Sequence, residues 1–407
     1  MVSRARAVGA RIVTVVGIAA VVSAMVAGSA SATSGASGPR ARVDRSLPAS
    51  TRLYVEPRSK AAAQARGDLA AGDRADAVLM AKLASWPVAT WFTGGTAEEV
   101  RSGVAALEHK AALRGQVPVV ALYDIPGRDC SQYSAGGAEG TAAYEAWIDG
   151  AAAGIGARKT VVILEPDGIA LSPDQCGGTA AQQADRNEQL NYAVSRLEQQ
   201  PKAIVYVDAG HSSWHAVGDI AERLIAAGVA NAQGFFLNVS NYRTDAELTR
   251  YGSMVSQCIW YLTNTPGAVG SSCPNQWWPT ADADAWYAAN VPAGATLTHY
   301  VIDSSRNGQG PWTPTATYTD AQDWCNPPAR GLGVRPTVTT GTPLLDAYLW
   351  VKVPGESDGS CTRGTGGTID PEWGVVDPTA GTWWPDQARQ LAQLAVPTLT
   401  FNRPAVR

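Results

Sequence analysis

The feature that most constrains this fold is a series of short apolar segments that each end at a polar residue. The clearest segments cover residues 117–123, 160–164, 203–207, 234–237, 299–302 and 347–351. The polar residues that follow them are Asp124, Glu165, Asp208, Asn238, Asp303 and Lys352. Segments of this length and β-branched content are typical of buried strands. Residues 53–55 and 88–92 are two further candidates.

Helical segments lie between these strands and are predicted over residues 140–154, 180–199, 219–227 and 245–257. Alternation of strands and helices predicts parallel βαβ units. About eight such units over this length predict an α/β fold, a complete or distorted (β/α) barrel of the TIM type. A Rossmann-type sheet is the alternative, but no G-x-G-x-x-G motif follows the first strands.

Carboxylates concentrate where these strands end, which is the face that carries the active site in a β/α barrel. They lie in segments 123–130, 165–168 and 352–359, and a fourth strand end carries Asp208, followed by His211 and Trp214. Several carboxylates at one barrel mouth suit acid–base cleavage of a glycosidic bond. Each of them could instead cap a helix or close a turn.

Tryptophan is unusually frequent, with 14 Trp against 4 Phe. The flat indole ring with its single N–H donor suits the binding of sugar rings, although Trp is also an ordinary core residue. The formal net charge of −4 argues against a nucleic-acid partner.

The first part of the chain reads as a targeting segment. Arg4, Arg6 and Arg11 precede an apolar run over residues 12–28, and Ala30-Ser31-Ala32 forms a cleavage motif. Residues 1–32 are therefore predicted to be a signal peptide; a transmembrane anchor is the alternative, but the run is short for a span. We expect a disordered leader over residues 33–50, one catalytic domain over 51–407, and a secreted, extracellular protein without a membrane partner.

The cysteines support export, because an even number in a secreted chain indicates disulfides. They are Cys130, Cys176, Cys258, Cys273, Cys325 and Cys361. Fifteen pairings are possible, and pairing of neighbours along the chain is the simplest. No C-x-x-C or H-E-x-x-H motif occurs, and His211 with His215 lacks an evident third ligand. We expect no metal and no other cofactor.

Two segments, ALYDIPGRDCSQYSAGG (121–137) and VVILEPDGIA (161–170), resemble the signatures of glycoside hydrolase family 6, the inverting cellulases. Further similar segments cover residues 208–214, 238–243, 302–308 and 350–359, in the order of that family. The resemblance extends over about residues 53–395. It implies a distorted, incompletely closed parallel β/α barrel.

The resemblance also implies roles for individual residues. Asp167 matches the general acid, Asp129 the neighbouring carboxylate that keeps it protonated, and Asp358 the proposed base. Asp208 matches a further active-site carboxylate. The residues that match substrate-binding positions are Trp91, Tyr123, Ser134, His211, Trp214, Asn238, Asn241, Arg306, Trp324, Lys352 and Glu356. Arg306 and Lys352 would also hold Asp358 ionised.

Cys130–Cys176 and Cys325–Cys361 match the usual bridges of the family, which leaves Cys258–Cys273 as a third bridge. That third bridge would lie in segment 252–290, which is longer than in compact members. Segment 252–290 could extend the substrate cleft or pack over the barrel.

The resemblance therefore implies a monomeric, secreted endo-β-1,4-glucanase that binds cellulose or cello-oligosaccharides and cleaves them with inversion. A cellobiohydrolase is the alternative within the enzyme class, if loops after Cys130 and Cys361 roof the cleft. A glycan-binding protein without catalytic activity is the alternative outside that class.

Overall fold

A computed structural model describes residue 45 and residues 47–402 of the chain, apart from the side chain of Ser131. The predicted signal peptide and residues 33–44 of the predicted leader lie outside these described residues. Arg45 donates hydrogen bonds to the backbone oxygens of Glu198 and Ala203, and Leu47 is buried. Arg45 and Leu47, two residues of the predicted leader, thus pack against the described domain. Among the described residues, no helix is long and apolar enough to cross a membrane.

The described residues form a parallel sheet whose strands follow one another in chain order, from β1 to β7. The strands are β1 (Thr90–Phe92), β2 (Val119–Leu122), β3 (Thr160–Leu164), β4 (Ala203–Asp208), β5 (Gly234–Leu237), β6 (His299–Asp303) and β7 (Leu345–Leu349). Because β1 and β7 are not neighbours in the sheet, the barrel is incompletely closed, as the resemblance implied. The eighth candidate, residues 53–55, is not a strand, since Leu53 makes only an isolated bridge to Val117.

Helices cover the outer face of the curled sheet. In the described part of the chain they are α1 (Lys60–Ala71), α2 (Arg74–Ala84), α3 (Ala97–Ala112), α4 (Thr141–Ile155), α5 (Ala180–Glu198), α6 (Val217–Ala226), α7 (Asp245–Asn264), α8 (Thr280–Asn290) and α9 (Pro385–Gln393). Capping boxes begin α3, α5 and α7, where Thr96, Thr179 and Thr244 accept a backbone N–H in the first turn.

Alternate residues of the strands pack on opposite sides of the sheet. Val120, Val162 and Val205 belong to the core beneath the helices, whereas Ala121 and Ile163 belong to a second core inside the barrel. Both cores are close to fully buried, so the strands form a rigid base beneath the loops at their carboxyl ends.

The open edge of the barrel is bridged without a strand pair. The Trp91 indole Nε1 donates to the Val351 backbone oxygen at 2.8 Å, and the Ala89 backbone N–H donates to the Trp350 oxygen at 2.9 Å. These bonds hold β1 beside the segment that follows β7. Trp91 thus has a structural role whatever its ring binds.

Disulfides join the six cysteines in the expected pairs, and two of them fix loops at the carboxyl ends of the strands. Cys130–Cys176 joins the loops after β2 and β3, and Cys325–Cys361 joins those after β6 and β7. Cys258–Cys273 ties α7 to the segment that precedes α8. The first two bridges therefore constrain loops that surround the barrel mouth.

Candidate active site

A cleft of about 640 Å³ opens at the carboxyl ends of the strands. The predicted site residues that line it are Trp91, Tyr123, Asp129, Ser134, Asp167, His211, Trp214, Asn241, Trp324, Lys352, Glu356 and Asp358. They come from loops after every strand except β1, where Trp91 lies within the strand itself. The fold thus brings together residues that are far apart in the sequence.

Carboxylates at the very ends of the strands hold loops in place and do not line the cleft. Glu165 accepts the backbone N–H groups of Asp124 and Ile125, each at 3.0 Å. Asp208 accepts those of Ala170 at 2.8 Å and Gly210 at 3.0 Å. Both residues therefore close turns, which was the alternative to a role in catalysis. Asp208 lies behind the loop of Asp167, and we regard it as a positioning residue.

Two predicted substrate-binding residues also lie outside the cleft lining. Asn238 is buried, where its side chain donates to the Asp303 backbone oxygen and accepts the Arg243 N–H. Arg306 is buried and donates to Asp358 at 2.8 Å and to the Ser240 backbone oxygen at 2.6 Å. The Asn238 amide and the two terminal nitrogens of Arg306 are therefore engaged by the protein, so both residues support the cleft from behind.

Asp167 is the carboxyl group whose surroundings most favour the protonated form. Burial raises its pKa well above the ordinary value, and the nearby charges of Asp208 and Asp129 raise it further. Its backbone has φ of +65°, a left-handed conformation that is uncommon for a residue with a Cβ. The loop thus holds in the cleft wall a carboxyl group whose surroundings favour the protonated form.

Asp358 has the opposite electrostatic environment. Burial alone would raise its pKa, but the charges of Arg306 and Lys352 outweigh burial and lower the pKa to about 2. Arg306 and Lys352 approach its two carboxylate oxygens at 2.8 and 2.9 Å. Asp358 is therefore ionised at any pH near neutral.

Asn326 is a residue that sequence reasoning missed, because its only local signal is its position beside Cys325. It is fully buried; its backbone N–H donates to the Asp358 carboxylate at 2.9 Å, and its side-chain oxygen accepts the Asp358 N–H at 2.7 Å. Its amide nitrogen also donates to the Ser357 hydroxyl at 2.9 Å. Asn326 therefore fixes both the backbone and the carboxylate of Asp358.

A short loop after β2 places Asp129 and Ser134 beside Asp167. Both the N–H and the hydroxyl of Ser134 donate to Asp129, at 2.6 and 2.8 Å, and the Ser134 hydroxyl is 3.2 Å from that of Tyr123. Arg128, also missed from the sequence, donates to the Ser134 backbone oxygen and lies over the Tyr123 ring. Burial raises the pKa of Asp129 even though Ser134 and Arg128 oppose the shift.

Aromatic rings from β1 and from the loops after other strands line the cleft. Trp91 meets Tyr123 edge to face with ring centroids 5.6 Å apart, and Trp214 lies beside His211 at 5.5 Å. Burial and the charge of Arg243 lower the pKa of His211 to about 3, so its ring is neutral. Neutral imidazole and indole faces suit the hydroxyl groups and apolar faces of a sugar.

The loop after Cys130 reaches the opposite wall of the cleft through one side chain. The Tyr133 ring lies 6.0 Å from that of Trp324, and its hydroxyl accepts the Gln322 amide at 3.3 Å. Gly359 lies so close to Tyr133 that a Cβ at Gly359 would collide with it. Although short, this loop therefore covers part of the mouth.

One group of possible metal-ligand side chains occurs within the described ranges, formed by Cys361, Asp370 and Asp377. Cys361 is bonded to Cys325, and Asp370 is paired with Arg363 at 2.7 Å. A thiolate ligand is therefore not available there, and the group does not suit a metal ion.

The chain is similar in sequence to a protein family and to individual proteins of known name. The family model described as "Glycosyl hydrolases family 6" matches residues 48–395. The chain is 33% identical over 351 residues to Endoglucanase A of Thermobispora bispora, covering 85% of this chain and 62% of that protein. It is 30% identical over 344 residues to a probable 1,4-β-D-glucan cellobiohydrolase C of Aspergillus terreus, covering 76% of this chain and 67% of that protein.

A solved structure has the same fold over most of the described chain. It is the endoglucanase Cel6 of Mycobacterium tuberculosis in complex with methyl-cellobiosyl-4-deoxy-4-thio-β-D-cellobioside, with 35% sequence identity and a TM-score of 0.67. The match covers 85% of this chain and 98% of that one.

Proposed function

This chain belongs to the glycosyl hydrolases of family 6, and we propose that it is a secreted enzyme that hydrolyses internal β-1,4-glucosidic bonds of cellulose and soluble β-glucans with inversion. Relatives named endoglucanase, one of them solved with a thio-linked cello-oligosaccharide, support this substrate class. Three disulfides suit an extracellular location.

The observation that carries the proposal is the pair of oppositely shifted carboxyl groups in one cleft. The surroundings raise the pKa of Asp167 and lower that of Asp358. One proton donor and one ionised carboxylate are what glycoside hydrolysis requires. Binding alone requires no such pair, so the pair argues against a glycan-binding protein without activity.

In the proposed reaction, Asp167 gives its proton to the departing glycosidic oxygen as the bond to the anomeric carbon breaks. A water molecule attacks that carbon from the opposite face, and its proton passes to Asp358. The product is a sugar with inverted anomeric configuration. Asp208 and Asp129 keep Asp167 protonated between turnovers, whereas Arg306 and Lys352 keep Asp358 ionised.

A cellobiohydrolase is the second candidate, and one observation favours it. Tyr133 contacts Trp324 and Gly359 across the mouth, so part of the cleft is covered. A covered cleft admits a chain end more readily than the middle of a chain. A relative from Aspergillus terreus is named as a probable enzyme of this kind.

Viscometry of carboxymethyl-cellulose, with reducing ends counted in parallel, distinguishes the two. We expect viscosity to fall steeply while few reducing ends appear, because internal cuts shorten chains quickly. Accumulation of reducing ends at nearly constant viscosity would instead identify a cellobiohydrolase. Absence of reducing ends from every β-1,4-glucan would contradict the proposed enzyme class.

A further inference from the structure

Two adjacent tryptophans outside the cleft project into solvent. Trp277 is 61% exposed and Trp278 is 46% exposed, and they lie in the segment between Cys273 and α8. Exposed apolar side chains are common singly, but two consecutive exposed indoles add a larger apolar surface than one side chain does. Such a surface on a protein in water suggests a partner with flat apolar faces.

The backbone that carries the two tryptophans is held rigidly. Cys273 is bonded to Cys258 of α7, and the Tyr287 hydroxyl donates to the Pro274 backbone oxygen at 2.8 Å. The Asn275 side chain accepts the Trp277 N–H at 3.0 Å. A backbone held in this way loses little conformational entropy when the side chains that it carries bind a ligand.

The same segment is joined directly to the wall of the cleft. The Gln276 amide nitrogen donates to the backbone oxygens of Ser212 at 2.8 Å and His215 at 2.9 Å. These two oxygens flank Ser213 and Trp214, which line the cleft. The exposed tryptophans therefore follow directly after a residue that is bonded to the loop carrying Trp214.

We propose that Trp277 and Trp278 form an additional binding surface for a single β-1,4-glucan chain as it leaves the cleft past Trp214. This proposal rests on the proposed function, since it takes the same glucan as its ligand. Each indole face would pack on the apolar face of a glucose ring. The surface would matter only for chains long enough to extend beyond the cleft.

The test compares the Trp277→Ala/Trp278→Ala double variant with the wild-type enzyme on cellotetraose, cellohexaose and soluble carboxymethyl-cellulose. We expect similar kcat/KM on cellotetraose and a loss that grows with chain length, to about tenfold on carboxymethyl-cellulose. Trp277→Phe/Trp278→Phe retains flat rings and is expected to recover part of the loss. Leu69→Ala, which removes an exposed apolar side chain from α1, is the matched control and is expected to show no length dependence.

Several outcomes would overturn the proposal while the proposed function stands. They are an equal loss on every substrate, no loss on any substrate, and loss of a dimer on size-exclusion chromatography without length dependence. Loss of binding to insoluble cellulose alone would assign the surface to the solid instead of a single chain, and would also overturn it. A wild-type enzyme that cleaves none of these glucans would refute the proposed function itself.

Discussion

Asp167 and Asp358 carry the same side chain, yet their neighbours move their pKa values in opposite directions. Buried carboxylates surround Asp167, whereas Arg306 and Lys352 contact Asp358 directly. Asn326 and Arg306 do not line the cleft. They donate hydrogen bonds to the Asp358 carboxylate from behind and so favour its ionised form. The chemistry of the cleft therefore depends on residues that substrate does not touch.

Neutralising Asp129 tests how Asp167 keeps its proton. The charge of Asp129 raises the pKa of Asp167, so Asp129→Asn is expected to lower it. Because Asp167 must be protonated to act, the alkaline limb of the kcat/KM profile should move to lower pH. Asp323→Asn removes the same charge from another part of the cleft lining and should leave that limb in place. An unmoved limb in Asp129→Asn would exclude this role.

At the scale of residues, the sequence predicted which carboxylates gather at the barrel mouth. It could not predict which of them face the cleft and which bind the backbone of neighbouring loops. Glu165 and Asp208 lie at the strand ends, where they accept hydrogen bonds from backbone N–H groups of adjacent loops. Asp129, Asp167 and Asp358 lie farther along the loops, where the chain turns back over the mouth. Asn326 gave no signal beyond its position beside Cys325, because its partners are distant in sequence.

At the scale of elements, the buried strands were easier to predict than the helices. The bounds of β3 and β5 are those predicted, because continuous apolar segments have few alternative structures. Five helices, α1, α2, α3, α8 and α9, were not predicted from the sequence. In α1, for example, Ala61 is the only buried apolar residue, so its pattern is weak. The segment at 53–55 failed as a strand because Glu56 and Pro57 begin a turn after one bridge.

The contact between α3 and β3 offers a test of how the elements are packed. Glu108 of α3 is buried and accepts a hydrogen bond from the Thr160 hydroxyl of β3. Burial raises its pKa from 4.5 to about 7, although the Thr160 hydrogen bond opposes the shift. The folded protein thus binds this proton more tightly than the unfolded chain does. The resulting stability is complete below about pH 4.5 and is lost as pH rises through about 7.

Glu108→Gln cannot titrate, so the stability of the wild type relative to this variant should fall between roughly pH 5 and pH 8, by on the order of 1–3 kcal/mol. Urea unfolding at both pH values measures the difference. Glu98→Gln, at an exposed position of the same helix, should give a difference that does not change with pH. A pH-independent difference for Glu108→Gln would show that Glu108 is ionised in the folded protein.

At the scale of the whole molecule, the open edge between β1 and β7 and the loops at the strand ends together form the cleft. Trp91 bridges that edge through Val351, and disulfides join loops on both sides of the mouth. The sequence predicted a barrel and its active face. It could not predict that Tyr133 reaches Trp324 and Gly359, because this contact depends on how loops from opposite sides meet.

The most direct test of the account is the anomeric configuration of the first product, followed by proton NMR during cleavage of cellohexaose. Proton donation by Asp167, with water activated at Asp358 on the opposite face, predicts that the new reducing end appears first as the α-anomer and then mutarotates. Initial appearance of the β-anomer would show retention and would contradict the roles assigned to Asp167 and Asp358.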